Sequence, residues 1–141
     1  MLETILRLKS EGRIAALNQH IPYARFLGLA CEDDGNGLVT VLRYADRNIG
    51  NTDLPALHGG AVAALLEHAA LMQLLTETEP ETLPKTINLS VDYLRPCGRH
   101  DTFARGRIFK QGRRIANVRV EAWQEDPARP VAAAHAHFLL G

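Results

Sequence analysis

Leu57-His58-Gly59-Gly60-Ala61-Val62-Ala63-Ala64-Leu65-Leu66-Glu67-His68-Ala69-Ala70-Leu71-Met72-Gln73-Leu74-Leu75 is the stretch that decides the fold. Read as a helix, it is apolar on nearly every side instead of along one stripe, which marks an element wrapped by protein all round. Glu67 and His68 interrupt it at mid-length. A carboxylate there costs roughly several kcal/mol unless it is paired or reached by solvent, so Glu67 is a candidate for chemistry. In front of it, paired glycines permit close approach to the backbone, and the free N–H groups of a helix start favour negative charge. The stretch therefore offers an oxyanion binder and an acid/base group.

Working outward, Asp33-Asp34-Gly35-Asn36-Gly37 is a hairpin turn signal between strand candidates at 28–32 and 38–44. Residues 2–17 carry apolar residues at roughly helical spacing and predict a peripheral amphipathic helix, with Ser10-Glu11-Gly12 as a point of interruption. Residues 45–57 form the loop that delivers the chain to His58. Beyond the helix, 77–84 is polar and carries prolines, and four strand candidates follow at 86–94, 101–109, 114–124 and 130–140. In the first of these, Ile87, Leu89, Val91 and Tyr93 alternate with Asn88, Ser90 and Asp92, which predicts one buried and one wetter face. The order is helix, two strands, buried helix, four strands. An antiparallel sheet curling around a central helix satisfies it, because the two apolar surfaces bury one another; that α+β arrangement is a hotdog fold, here a single domain over 1–141 with its core at about 25–140.

Acidic and basic residues number 16 each, so nothing points to nucleic acid. No membrane span is expected, since Glu67 and His68 break the longest apolar run, and Met1-Leu2-Glu3 does not open like an export signal. The expectation is a cytoplasmic protein. Cys31 and Cys97 have no framework spacing and are expected to be reduced. His135 and His137 share one strand face, but no third ligand accompanies them, and neither a metal nor a cofactor is expected.

Three features together resemble a known family: His58-Gly59-Gly60 with an acid nine positions after the histidine, a strand ending Tyr93-Leu94-Arg95-Pro96, and the hairpin Lys110-Gln111-Gly112-Arg113-Arg114. The chain resembles the hotdog acyl-CoA thioesterases of the phenylacetate-pathway, PaaI-like type over roughly 25–140. The resemblance implies hydrolysis of an acyl-CoA to free acid and CoA. It gives Glu67 the role of general base or nucleophile and the Gly59 N–H that of a donor to the thioester oxygen, with Gly60 tightening the helix start. An amide ahead of the triplet falls to Asn51, since Thr52 occupies the usual position, and a water-orienting hydroxyl falls to Thr86. His58 reads as an organiser of the loop. Arg95, Lys110, Gln111, Gly112, Arg113 and Arg114 are candidates for binding the substrate's CoA portion, and Ala64, Leu71 and Met72 for lining an acyl pocket.

Gly59 and Glu67 are eight residues apart, about 12 Å along a helix, whereas both must reach one carbonyl within about 3 Å. One helix does not supply both groups to one substrate. Two antiparallel copies do, which predicts a homodimer with two composite sites, or a homotetramer built from such dimers. Two other readings compete on the same fold: a non-catalytic acyl-CoA binding or sensing module, and an acyl-thioester hydratase or dehydratase.

Overall fold

Alternation along 102–108, 115–123 and 132–139 puts Ala104, Gly106, Val118, Val120, Ala134 and Ala136 on one buried face, with Arg105, Arg107, Arg119, Glu121 and His135 on the other. The computed structural model describes Met1–Gly141. Its strands are β1 (Leu29–Asp33), β2 (Leu38–Leu42), β3 (Ile49–Asn51), β4 (Ala56–Leu57), β5 (Lys85–Tyr93), β6 (Thr102–Gln111), β7 (Ile115–Trp123) and β8 (Ala132–Leu139), and its helices are α1 (Leu2–Ser10), α2 (Pro22–Leu27) and α3 (Gly59–Glu77). Six strands form one antiparallel sheet in the order β1-β2-β6-β7-β8-β5. α3 lies across its buried face, so the hotdog arrangement expected from the order of elements is the one observed.

Small residues make that packing possible. Gly106, Val120 and Ala134 are register partners across β6, β7 and β8. A Cβ on Gly106 would stand 3.0 Å from the Cβ of Gln73 and 3.1 Å from the carbonyl of Ala69, so the helix backbone rests against a strand with no side chain there. Leu65, Leu66, Ala70 and Leu74 of α3 are fully buried in the main core with Phe138 and Leu42. α3 has 19 residues and passes as a membrane span by length and composition alone, but here half of it is buried by the fold itself. On another side of α3, Met72 and Leu75 join Ile5 and Leu8 of α1 and Leu17 in a second cluster. Met72 is therefore a core residue and lines none of the major cavities, contrary to the expectation from sequence.

Three further expectations are corrected. The amphipathic stretch 2–17 breaks at the expected Ser10-Glu11-Gly12, where α1 ends at Ser10 and Gly12 turns at φ +67°, but its second part is not α-helical: 14–20 continue as a 3-10 segment before Pro22 starts α2. The 45–57 loop contains a short two-stranded sheet, β3 with β4. The strand at 85–93 does not bury a face along its whole length, because it is the sheet's edge: Leu89 and Val91 are partly buried, but Ile87 is 54% exposed and Tyr93 57% exposed. β5 bonds to β8 on one side and has no strand on the other.

The tight seat of α3 on β6 yields a stability test. Gly106→Val forces α3 away from the sheet and is expected to lower unfolding free energy by about 1–3 kcal/mol; an unchanged denaturant midpoint would show that the helix–strand contact is looser than the geometry indicates.

Candidate active site

The β3–β4 hairpin exists to aim His58. The His58 N–H donates to the carbonyl of Asn48 at 2.7 Å, and the Leu57 N–H donates to the carbonyl of Cys97 at 2.8 Å. Buried Asn48 in turn donates its side-chain amide to the carbonyl of Leu27 at 3.3 Å. Gly50 faces His58 so closely that an added Cβ would be 2.7 Å from the His58 Cα. Sequence reading missed this glycine, which looked like one of several loop residues.

His58 is the N-cap of α3. Its Nδ1 accepts the Gly60 N–H at 2.8 Å, and its carbonyl accepts the N–H groups of Ala61 and Val62. Nδ1 is consequently the unprotonated ring nitrogen. Of the first four donors of the helix, only the Gly59 N–H has no partner. Both glycines answer to steric demand from the chain's own side chains. A Cβ at Gly60 would meet His58 Nδ1 at 2.9 Å, and one at Gly59 would meet the Tyr93 ring at 3.3 Å. Tyr93, at the end of β5, donates its hydroxyl to the Gly59 carbonyl at 2.7 Å. This pin was not legible as a role for Tyr93 in the sequence, since it joins positions 34 residues apart. An open cavity of about 380 Å³ adjoins it, lined by Ala56, Leu57, Gly59, Val62, Tyr93 and the Leu94–Cys97 turn.

Two turns further along α3, Glu67 is half-buried, and the Thr86 hydroxyl donates to its Oε1 at 2.8 Å. The fold thus brings together the acid and the hydroxyl picked out separately in the sequence. They share a second cavity, of about 190 Å³, with Ala64, His68 and Leu71 of α3, Ile21, Tyr23, Ala24, Leu27 and Leu29. Gly59 and Thr86 lie at opposite ends of β5, and no cavity contains both Gly59 and Glu67.

The other candidates are placed differently. The Asn51 side-chain oxygen accepts the N–H groups of Asp53 (3.0 Å) and Leu54 (3.1 Å), which commits it to its own turn, and Asn51 lines neither cavity. Arg95 donates to the Pro130 carbonyl at one end of the sheet. Lys110, Gln111, Gly112, Arg113 and Arg114 occupy the β6–β7 turn at the other end, where Ile115 pairs with Leu139 and Leu139 with Lys85. Arg95, Lys110, Arg113 and Arg114 make no ion pair within the chain. His137 Nδ1 is 2.9 Å from Asn88 Oδ1 across β8 and β5.

Burial shifts two groups near these elements. His68 shares a hydrogen bond between its Nε2 and Asn18 Oδ1 and is desolvated, which pushes its pKa down to about 4 and keeps it neutral. Desolvation pushes the Cys97 thiol up to about 11, so it is no nucleophile at neutral pH.

Comparison with known proteins converges on one family. Residues 54–131 match the model of the thioesterase superfamily. A protein of Salmonella typhimurium named medium/long-chain acyl-CoA thioesterase YigI is 33% identical, over 86% of this chain and 87% of its own length. The crystal structure of a Chromobacterium violaceum protein superposes with TM-score 0.80 at 36% identity, covering 99% of this chain and 97% of that one. A phenylacetic acid degradation-related protein from Ralstonia eutropha gives TM-score 0.73 at 26% identity, covering 84% of this chain and 90% of that one.

The buried imidazole predicts an acid-side slope in stability. Unfolded, His68 takes up a proton near its ordinary pKa of 6.5; folded, it does so only at about 4. Below 6.5 the unfolded chain binds more protons, so unfolding free energy falls with pH by about 1.4 kcal/mol per unit until about pH 4. His68→Gln is expected to flatten that window in denaturant titrations at stepped pH; an equal slope in both proteins would assign the effect to other groups.

Proposed function

The chain belongs to the thioesterase superfamily, and from that premise we propose that it hydrolyses acyl-CoA thioesters to a free acid and CoA at sites shared between two copies. The observation that carries this is the pairing of one free backbone donor, the Gly59 N–H, with one hydroxyl-held carboxylate, Glu67, on a single helix. Two helical turns, about 12 Å, separate them. Neither half suffices in its own chain.

The uncovered edge of β5 supplies the means of joining them. A nine-residue edge strand with exposed Ile87 and Tyr93 is a template for another strand. Antiparallel pairing of two β5 strands about Ser90 sets Leu89 of one copy opposite Val91 of the other with both on the buried face, and the bulge between Thr86 and Asn88 then brings Thr86 of one copy beside Tyr93 of the other. Because Thr86 holds Glu67 and Tyr93 holds Gly59, each end of the joint then carries one carboxylate and one N–H donor from different chains. The same pairing brings Arg95 of one copy to the sheet end that carries the other copy's Arg113 and Arg114, about three strand spacings or 14 Å away. Basic residues that one chain keeps at opposite ends thus flank the same site, where the phosphates of CoA would lie.

In this site Glu67 takes a proton from water as the water oxygen attacks the thioester carbon. Charge gathers on the carbonyl oxygen facing the Gly59 N–H, the carbon–sulfur bond breaks, and the CoA sulfur leaves with a proton. The Thr86 hydroxyl occupies Oε1 and leaves Oε2 free for the reacting partner.

Two single variants test both the residues and the sharing. Glu67→Gln is expected to reduce kcat at least about 100-fold. Gly59→Pro removes the free N–H at the first helical position, where the extended His58 suits a following proline; because any Cβ there meets the Tyr93 ring at 3.3 Å, Gly59→Ala, which adds the same Cβ and keeps the N–H, is the control, and the proline is expected to cost about 100- to 1000-fold beyond it. Co-expressed with different tags and isolated as a mixed dimer, the two dead chains assemble one intact site, and about half the native rate is expected to return. A mixed dimer as inactive as its parents would place each site within one chain.

A further inference from the structure

We infer that Tyr93 is a positioning residue for the hydrolysis: its hydroxyl fastens the start of α3 so that the free Gly59 N–H keeps its aim at the thioester oxygen. The inference rests on the thioesterase reading above and gives that reading a further residue. A helix that starts on two glycines is a poor mount for a donor. Neither Gly59 nor Gly60 has a Cβ to restrict φ and ψ, and helix ends fray. The chain compensates with bonds to both peptide units that meet at Gly59. The His58–Gly59 unit, which carries the free N–H, has its carbonyl held by the N–H groups of Ala61 at 2.9 Å and Val62 at 3.2 Å. The Gly59–Gly60 unit is held at both ends: its N–H donates to His58 Nδ1 at 2.8 Å, and its carbonyl accepts the Tyr93 hydroxyl at 2.7 Å. The bonds from Ala61, Val62 and Gly60 are made within the helix start and move with it. The bond from Tyr93 fastens that turn to the end of β5.

Tyr93 is no core residue, since more than half of it is exposed. Nor does it serve as an acid, because its proton is committed to the Gly59 carbonyl. What the hydroxyl controls is orientation. Donors act on a developing oxyanion only from a prearranged position, and a displacement of about 1 Å costs up to about 100-fold in rate.

Tyr93→Phe keeps the ring over Gly59 and removes the hydroxyl alone. Thiol release from acetyl-, octanoyl- and palmitoyl-CoA is measured for the variant and the native protein over a range of pH, under conditions where urea titration shows both to be folded. On every ester that the native protein turns over, the variant is expected to lose about tenfold in kcat, with KM unchanged and the pH profile lowered but not shifted. A merely structural bond would leave kcat of the folded protein alone. An unchanged kcat, or a loss confined to KM, overturns the inference. So does a shifted pH profile, since under the proposed pairing the other copy's Glu67 approaches the same hydroxyl and would titrate differently without it. Each of these outcomes leaves the thioesterase reading standing. Native protein that releases no thiol from any of the esters overturns the reading itself, and this inference with it.

Discussion

The hydrogen bond from the Gly60 N–H to His58 Nδ1 sets the electrostatics of the whole site. Helix starts are usually capped by Ser, Thr, Asp or Asn. An aspartate here would put a negative charge beside the Gly59 N–H, and would repel the oxyanion that the proposed reaction forms there. The Nδ1 lone pair of His58 satisfies the second donor of the helix without a carboxylate's charge, while the helix start keeps its partial positive character for the remaining free donor at Gly59. The constraint spreads outward from that bond. Gly60 must lack a side chain for the imidazole to fold back, Gly50 must lack one for His58 to sit where it does, and Tyr93 closes over Gly59 from the sheet. Preorganisation of one N–H thus draws on the β3–β4 hairpin, the first turn of α3 and the end of β5.

The second constraint is the exposed edge. Five of the six strands in the main sheet are flanked or short, whereas β5 is long, unpaired on one side and apolar in part. Such an edge is a hazard in a lone chain. The same strand touches both halves of the chemistry, through Thr86 at its start and Tyr93 at its end. Under the proposed pairing, a single association event removes the hazard and completes the site, and it accounts for the exposed Ile87 and Tyr93.

Sequence made the helix and its partners legible because their signals are local. An apolar run with one acid, a histidine-glycine-glycine start and period-two strands need no knowledge of distant contacts. Glu67, Gly59 and Thr86 were named on that footing or by resemblance, and the fold brings Thr86 onto Glu67. What stayed hidden depends on partners far along the chain. Gly50 matters through its contact with His58, Tyr93 through its bond to Gly59, and Asn48 through the Leu27 carbonyl and the His58 N–H on two separate segments. The edge position of β5 is equally non-local: alternation predicts a two-faced strand, but not that the strand borders the sheet. Asn51 was chosen for its amide, and its oxygen instead closes a local turn, a competition that short polar side chains regularly offer.

The division of labour along the chain follows from these placements. The segment that matches the family model, 54–131, holds Gly59, Glu67, Thr86 and Tyr93, the groups that the proposed reaction needs whatever the acyl group. Ile21, Tyr23, Ala24, Leu27 and Leu29, which form the wall opposite α3, all precede it. That wall can therefore change through α2 and its anchor Arg47 without disturbing the helix cap or the carboxylate. The other anchor is different, since it belongs to the loop that aims His58: Asn48 bonds the wall through its side chain and the His58 N–H through its carbonyl. Loosening that wall through Asn48 would also loosen His58 and the helix start it caps, whereas loosening it through Arg47, which reaches only the Phe26 carbonyl and ring, would not. The α2 wall is thus free to vary at one anchor and coupled to the helix cap at the other.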